Sequence, residues 1–279
     1  MNLSSDIAAI VTGAGSGLGA AVASHLTNGG VKVALFEKNV EKGKIQAEAS
    51  GGLFVEVDVS DSMSVSSALA IARTAHGQER LVVNCAGIAP AAKTVSRGAP
   101  HDATLFESVI GINLIGSFFV SSQSAAGMVA QDPITEDGER GLIINTASVA
   151  AFDGQIGQTA YAASKGGITS LTLPMARDLA DKGVRVMAIA PGIFGTPMVT
   201  SFPQDVQDSL ASQIPFPARL GNPDEFAALV QHIAENRMLN GETIRLHGAI
   251  RMPPRWLLFT EILETIPLAF QPLQYLSTF

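Results

Sequence analysis

The chain has 279 residues, 47% of them apolar and only 15% charged, with 27 glycines, which suits one large globular α/β domain with tight turns. A net charge of −7 with 18 scattered basic residues excludes a nucleic-acid footprint as the main activity. The single cysteine, Cys85, excludes internal disulfides and cysteine-based metal sites and fits a reducing compartment: the cytoplasm, or the mitochondrial matrix in a eukaryote. No basic flank precedes the first apolar run, so neither a signal nor a transit peptide is expected. No stretch reads as the roughly 18 uncharged apolar residues of a membrane span, so a soluble protein is expected.

Residues 7–11 read as a buried strand, followed at once by Thr12-Gly13-Ala14-Gly15-Ser16-Gly17-Leu18-Gly19 and then a helix over 20–27 closed by Gly29 and Gly30. Strand, glycine-rich turn and helix in that order suit a dinucleotide: the backbone approaches the pyrophosphate, and the helix's unpaired N–H groups meet its charge. A second strand over 31–36 ends at Glu37, 18 residues after Gly19. A carboxylate there accepts hydrogen bonds from ribose hydroxyls and repels a 2′-phosphate, which favours NAD over NADP, although Lys38 stands next door.

A polar helix (41–50), a third strand (53–57) and a helix over 62–76 follow, with Asp58 at the strand end as either an adenine contact or a helix cap. A fourth strand over 81–85 runs into Asn84-Cys85-Ala86-Gly87. Three βα units in series make a doubly wound parallel sheet the expected fold. Residues 89–102 read as a long loop whose Lys93 and Arg97 are either solvated charges or partners for an anionic substrate tail. Residues 104–129 read as one long helix carrying Asn113, a structural bridge or part of a proton path. Residues 131–140 read as an acidic, exposed, mobile loop.

The central stretch changes period. Residues 142–145 form a buried strand that places Ser148 at its carboxyl end. From about Thr159, Tyr161, Lys165, Ile168, Leu171, Met175 and Leu179 recur at helical spacing. Tyr161 and Lys165 share a face, so the ammonium favours the phenolate and Tyr161 becomes a general acid/base candidate; the bland reading is a half-buried tyrosine beside a snorkelling lysine. Pro174 breaks the rule for a helix interior, so a kink is expected, with Thr169, Ser170 or Thr172 meeting the freed carbonyl. A strand over 184–190 leads to Pro191-Gly192-Ile193-Phe194-Gly195-Thr196-Pro197, a fixed turn over the nicotinamide position. Residues 198–220 suit a lid over an apolar substrate; a helix (223–235) and a last strand (243–247) close the pattern.

These motifs together resemble the short-chain dehydrogenase/reductases: T-G-x-x-x-G-x-G at 12–19, Asp58, N-C-A-G at 84–87, Asn113, Ser148, Tyr161-x-x-x-Lys165, and Pro191-Gly192 with Thr196. The stretches G-L-I-I-N-T-A-S-V-A-A-F-D-G-Q-I-G-Q-T-A-Y and Q-I-P-F-P-A-R-L-G-N-P are most similar to the type II 3-hydroxyacyl-CoA dehydrogenase branch. The resemblance implies a single-domain Rossmann-like sheet of about seven strands over residues 1–254, a homotetramer, and NAD-linked oxidation of a 3-hydroxyacyl-CoA. It implies that Ser148, Tyr161, Lys165 and Asn113 are catalytic. It implies cofactor contacts at Gly13, Gly15, Ser16, Gly17, Leu18 and Gly19; at Glu37, Asp58 and Val59; at Asn84, Ala86 and Gly87; at Tyr161 and Lys165; and at Pro191, Gly192, Phe194 and Thr196. Gln155 and Gln158 fall with Ser148 and Tyr161 in the segment expected to touch substrate.

No metal is expected. An NADPH-linked reductase of acyl-carrier-protein substrates shares the catalytic residues, and a non-catalytic NAD-binding scaffold is the reading from another class. Two departures stand out: His247 replaces the branch's aspartate, and an apolar extension of uncertain order occupies 255–279.

Overall fold

In the computed structural model residues 1–255 are described, so all of the expected extension but Arg255 lies outside them. Among the described residues, the short apolar runs become seven parallel strands: β1 (Ala8–Thr12), β2 (Lys32–Glu37), β3 (Leu53–Glu56), β4 (Glu79–Asn84), β5 (Gly141–Thr146), β6 (Val184–Pro191) and β7 (Thr243–Leu246). Their order is β3-β2-β1-β4-β5-β6-β7, so the winding reverses between β1 and β4 and opens a crevice at their carboxyl ends.

Helices α1 (Gly17–Asn28) and α9 (Pro223–Glu235) cover one face, where Leu26, Phe226, Val230 and Ile233 meet Val11, Leu35, Leu142 and Ile144. The opposite face takes α3 (Ser62–His76), α5 (Ser117–Val129) and α6 (Thr159–Asp178), with Leu69, Val120, Met128 and Met175 against Phe36, Val82, Ile143 and Val186. Strand side chains alternate between faces, so Leu142 and Ile144 serve one layer and Ile143 the other. Each fully buried aliphatic contributes about 1.5–3 kcal/mol, which is what holds the crevice rigid. Helix α2 (Val40–Ser50) flanks β2 and β3.

Several expectations change. The helix over 104–129 is three pieces: α4 (Ala103–Ile110), a π-helical turn Gly111–Gly116, and α5. Apolar periodicity does not register one extra residue per turn, and such turns mark sites where a side chain is re-aimed. By length and composition the stretch Ala103–Val129 also passes as long and apolar enough to cross a membrane, with a mean hydropathy of 1.6. The loop over 89–102 contains a short hairpin, Val95–Ser96 against Ala99–Pro100.

The acidic loop is not wholly exposed. Glu139 is 6% exposed and pairs with Arg185 (2.8 Å) and with the α-ammonium of Met1 (2.8 Å). Helix α6 runs unbroken through Pro174. The Thr169 and Thr172 hydroxyls donate to the carbonyls of Lys165 and Ile168, so neither meets the Ser170 carbonyl that the proline frees.

Candidate active site

The crevice is assembled from strand ends. At the reversal point the Thr12 hydroxyl accepts from the backbone N–H groups of Cys85 and Ala86, both at 3.1 Å, and so ties the end of β1 to the end of β4. Gly13 adopts φ +63°, and a Cβ there would lie 2.7 Å from the Ala86 backbone, so only glycine permits the turn. Gly15, Ser16, Gly17 and Leu18 carry the chain into α1, and Gly19 packs on the Gly13 carbonyl. The Ser16 side chain makes no capping bond and the first turn of α1 holds no acidic residue, which leaves the helix start able to receive a phosphate.

Glu37 closes this turn. Its Oε2 accepts from Gly15 N–H (3.0 Å) and its Oε1 from Asn39 N–H (2.9 Å), so the carboxylate is fixed beside the glycine turn. Lys38 pairs with Asp58 at 2.6 Å. Burial would raise the Asp58 carboxyl, but bonds from Lys38 and Ser60 outweigh it and hold the group below its ordinary value. Asp58 is not the cap of α3; Asp61 is, accepting from Met63 N–H. Val59 packs against Gly116 of the π-turn, and Thr196 stands beside Gly17. These features fit a nicotinamide dinucleotide.

Deeper in the crevice, Ser148 follows β5 and caps a short 3-10 turn, accepting from Ala150 N–H at 3.1 Å. Ser148 and Tyr161 share a hydrogen bond that favours the phenolate, while burial, the larger effect, pushes the phenol above its ordinary value. The Lys165 Nζ lies 5.8 Å from the Tyr161 ring centroid and donates to the Thr146 carbonyl at 2.6 Å. Burial pulls its ammonium down to about 8. The lowering of the phenol expected from Lys165 is not found: Ser148 opposes the rise without overcoming it, and the cation is turned to the strand end. A hydroxyl, a phenol and an amine lie together at the carboxyl end of β5, a set able to take up or deliver a proton at a substrate oxygen.

The short chain dehydrogenase family model matches residues 7–207. The chain belongs to this family.

Among its relatives, human "3-hydroxyacyl-CoA dehydrogenase type-2" is 51% identical over 252 residues, covering 89% of this chain and 96% of that protein. The Drosophila melanogaster protein of the same name is 50% identical, covering 88% and 97%. The crystal structure of the 3-hydroxyacyl-CoA dehydrogenase type-2 from Mycobacterium avium superposes with a TM-score of 0.86 at 40% identity, covering 91% of this chain and all of that one. The chain is accordingly a short-chain dehydrogenase oxidoreductase.

Other expected residues of this dehydrogenase are placed unevenly. The Asn113 amide donates to the Ile88 carbonyl (2.9 Å) and Ser164 Oγ (3.0 Å), and its oxygen accepts from Ile88 N–H (2.8 Å). Its side chain is therefore a bridge between the π-turn, the segment after β4 and α6, and Gly87 lies against it. Asn84 is buried and donates to Ser121 and Asn145, so its side chain serves the sheet interior rather than an open cofactor surface. The Phe194 ring packs edge-on to Phe226, again in the core. Pro191 ends β6, and Gly192 has no room for a Cβ because His247 backs it.

The Gln155 amide donates to the Pro253 carbonyl (2.9 Å), and Gln158 Oε1 accepts from Gln155 N–H (3.0 Å). Both glutamines are thus engaged with protein groups. Sequence reasoning missed Thr12 and Thr146. The first sits in the glycine motif it had already singled out, whereas Thr146 acts through its main-chain oxygen, for which no side-chain pattern is a signal.

Proposed function

We infer that the chain is an NAD-dependent dehydrogenase interconverting 3-hydroxyacyl-CoA and 3-oxoacyl-CoA thioesters in acyl-chain degradation. The observation that carries this is the bonded Ser148–Tyr161 pair with Lys165 beside it, in a crevice whose glycine turn is closed by Glu37. Bound NAD would supply the hydride acceptor. The chain's own residues do the rest. The Tyr161 phenolate takes the proton of the substrate's β-hydroxyl during oxidation and returns it during reduction. The Ser148 hydroxyl donates to the substrate oxygen and fixes its distance from the phenol. Lys165, with a value of about 8, carries the charge that favours the phenolate once its Nζ leaves the Thr146 carbonyl. Asn113 holds the π-turn and α6 in register behind the pair.

Glu37 supports NAD over NADP, since a 2′-phosphate would meet its carboxylate, and the neighbouring Lys38 is engaged by Asp58. The names of the relatives support the thioester. A homotetramer accounts for the apolar side chains of Phe118, Ile115 and Leu173, which are exposed on α5, the π-turn and α6. The lone cysteine supports a reducing location, the cytoplasm or the mitochondrial matrix. The test is turnover of acetoacetyl-CoA with NADH and with NADPH. A higher kcat/KM with NADH is expected, and a preference for NADPH overturns the cofactor assignment.

A further inference from the structure

After β7 the chain turns at Gly248 and runs as a strap, residues 248–254, between two segments, one of which joins the catalytic pair. On one side lie α7 (Pro197–Thr200), α8 (Gln204–Ser212) and the residues after them. The Gly248 carbonyl accepts from Phe216 N–H (3.2 Å), and Ile250 is buried with Val206, Leu210 and Ile214, with Met252 packed beside them. On the other side lies the loop joining Ser148 to Tyr161. There the Pro254 carbonyl accepts from Ile156 N–H (3.0 Å), the Pro253 carbonyl from the Gln155 amide (2.9 Å), and Arg251 pairs with Asp153 at 3.4 Å.

Three features make this a mechanical link. Gln155 is 6% exposed, so its amide is held away from water against the half-buried Pro253. Pro253 and Pro254 have fixed φ and no N–H, so the strap is stiff and its carbonyls are its hydrogen-bonding handles there. Ile250 and Met252 anchor it in the apolar cluster of the α7–α8 segment, the wall expected to cover the acyl chain.

We propose that Gln155 is a positioning residue: through the strap it sets the α7–α8 wall against the Ser148 loop and thereby fixes acyl-chain preference. This rests on the acyl-CoA reading above. The experiment compares kcat/KM for four-carbon and ten-carbon 3-oxoacyl-CoA with NADH in wild type, Gln155→Leu, Met252→Ala and the double variant. Gln155→Leu lowers the ten-to-four-carbon ratio about five-fold, the size of one net hydrogen bond, chiefly through KM, with NADH affinity unchanged. Met252→Ala moves the same ratio, and the double variant is no worse than the worse single one.

Equal loss on both chain lengths, or effects that multiply in the double variant, overturns the link. If Gln155→Leu does not fold, Arg251→Gln reads the same ratio from the strap's other anchor; a smaller shift in the same direction supports the link, and an unchanged ratio overturns it. A wild-type protein that turns over neither thioester overturns the acyl-CoA reading and the link together, whereas an active wild type with unmoved ratios overturns the link alone.

Discussion

The Lys165 Nζ donates 2.6 Å to the main-chain oxygen of Thr146, which places a buried ammonium at the end of β5 rather than on the phenol four residues before it. Burial holds this lysine at about 8, below its ordinary 10.5. The folded state therefore binds its proton less readily than the unfolded chain, and the unfolded chain holds the extra proton between those values. Stability gained from this group rises as pH climbs from about 8 toward 10.5. Urea midpoints at pH 7.5 and 9.5 should show that rise in wild type and lose much of it in Lys165→Met, which should also lose activity by about 10²-fold or more.

Ser148 opposes the burial that raises the Tyr161 phenol. Ser148→Ala should push the phenol further up, so the pH at which alcohol oxidation reaches half its maximum moves to higher pH. Activity at neutral pH falls by about 10²–10³-fold through loss of substrate orientation as well. A pH–rate profile checks both.

Glu37 is held by Gly15 and Asn39 at the edge of the glycine turn. Glu37→Ser removes the carboxylate that would repel a 2′-phosphate, and the NADH-to-NADPH ratio of kcat/KM should fall by about ten-fold or more, the scale of one charge–charge contact near a surface. Paired steady-state assays with the two cofactors read it.

The doubly wound parallel sheet and the strand-end motifs were legible in the sequence because short apolar runs, glycines at turns and the Tyr161–Lys165 spacing are local signals. What escaped is non-local or belongs to the main chain. The π-turn at Gly111–Gly116 adds a residue inside an apolar run without disturbing its composition. Glu139 looked like one acid in an acidic loop, and only the fold brings Arg185 and the Met1 ammonium to it. The glutamines between Ser148 and Tyr161 were placed by similarity, whereas their partners are Pro253 and the loop itself.

Glu139 pairs with two buried cations, so Glu139→Ala leaves Arg185 and the Met1 ammonium without their anion. Loss of about 3–5 kcal/mol of stability is expected by denaturant unfolding, while a surface acid such as Glu136 should change it by less than about 0.5 kcal/mol.

The central claim is that Tyr161 moves the proton. Steady-state turnover of acetoacetyl-CoA with NADH by Tyr161→Phe, alongside calorimetric NADH affinity, tests it most directly: the account predicts affinity close to wild type and turnover reduced by about 10³-fold or more. Turnover within a few-fold of wild type in a variant that still binds NADH would contradict it.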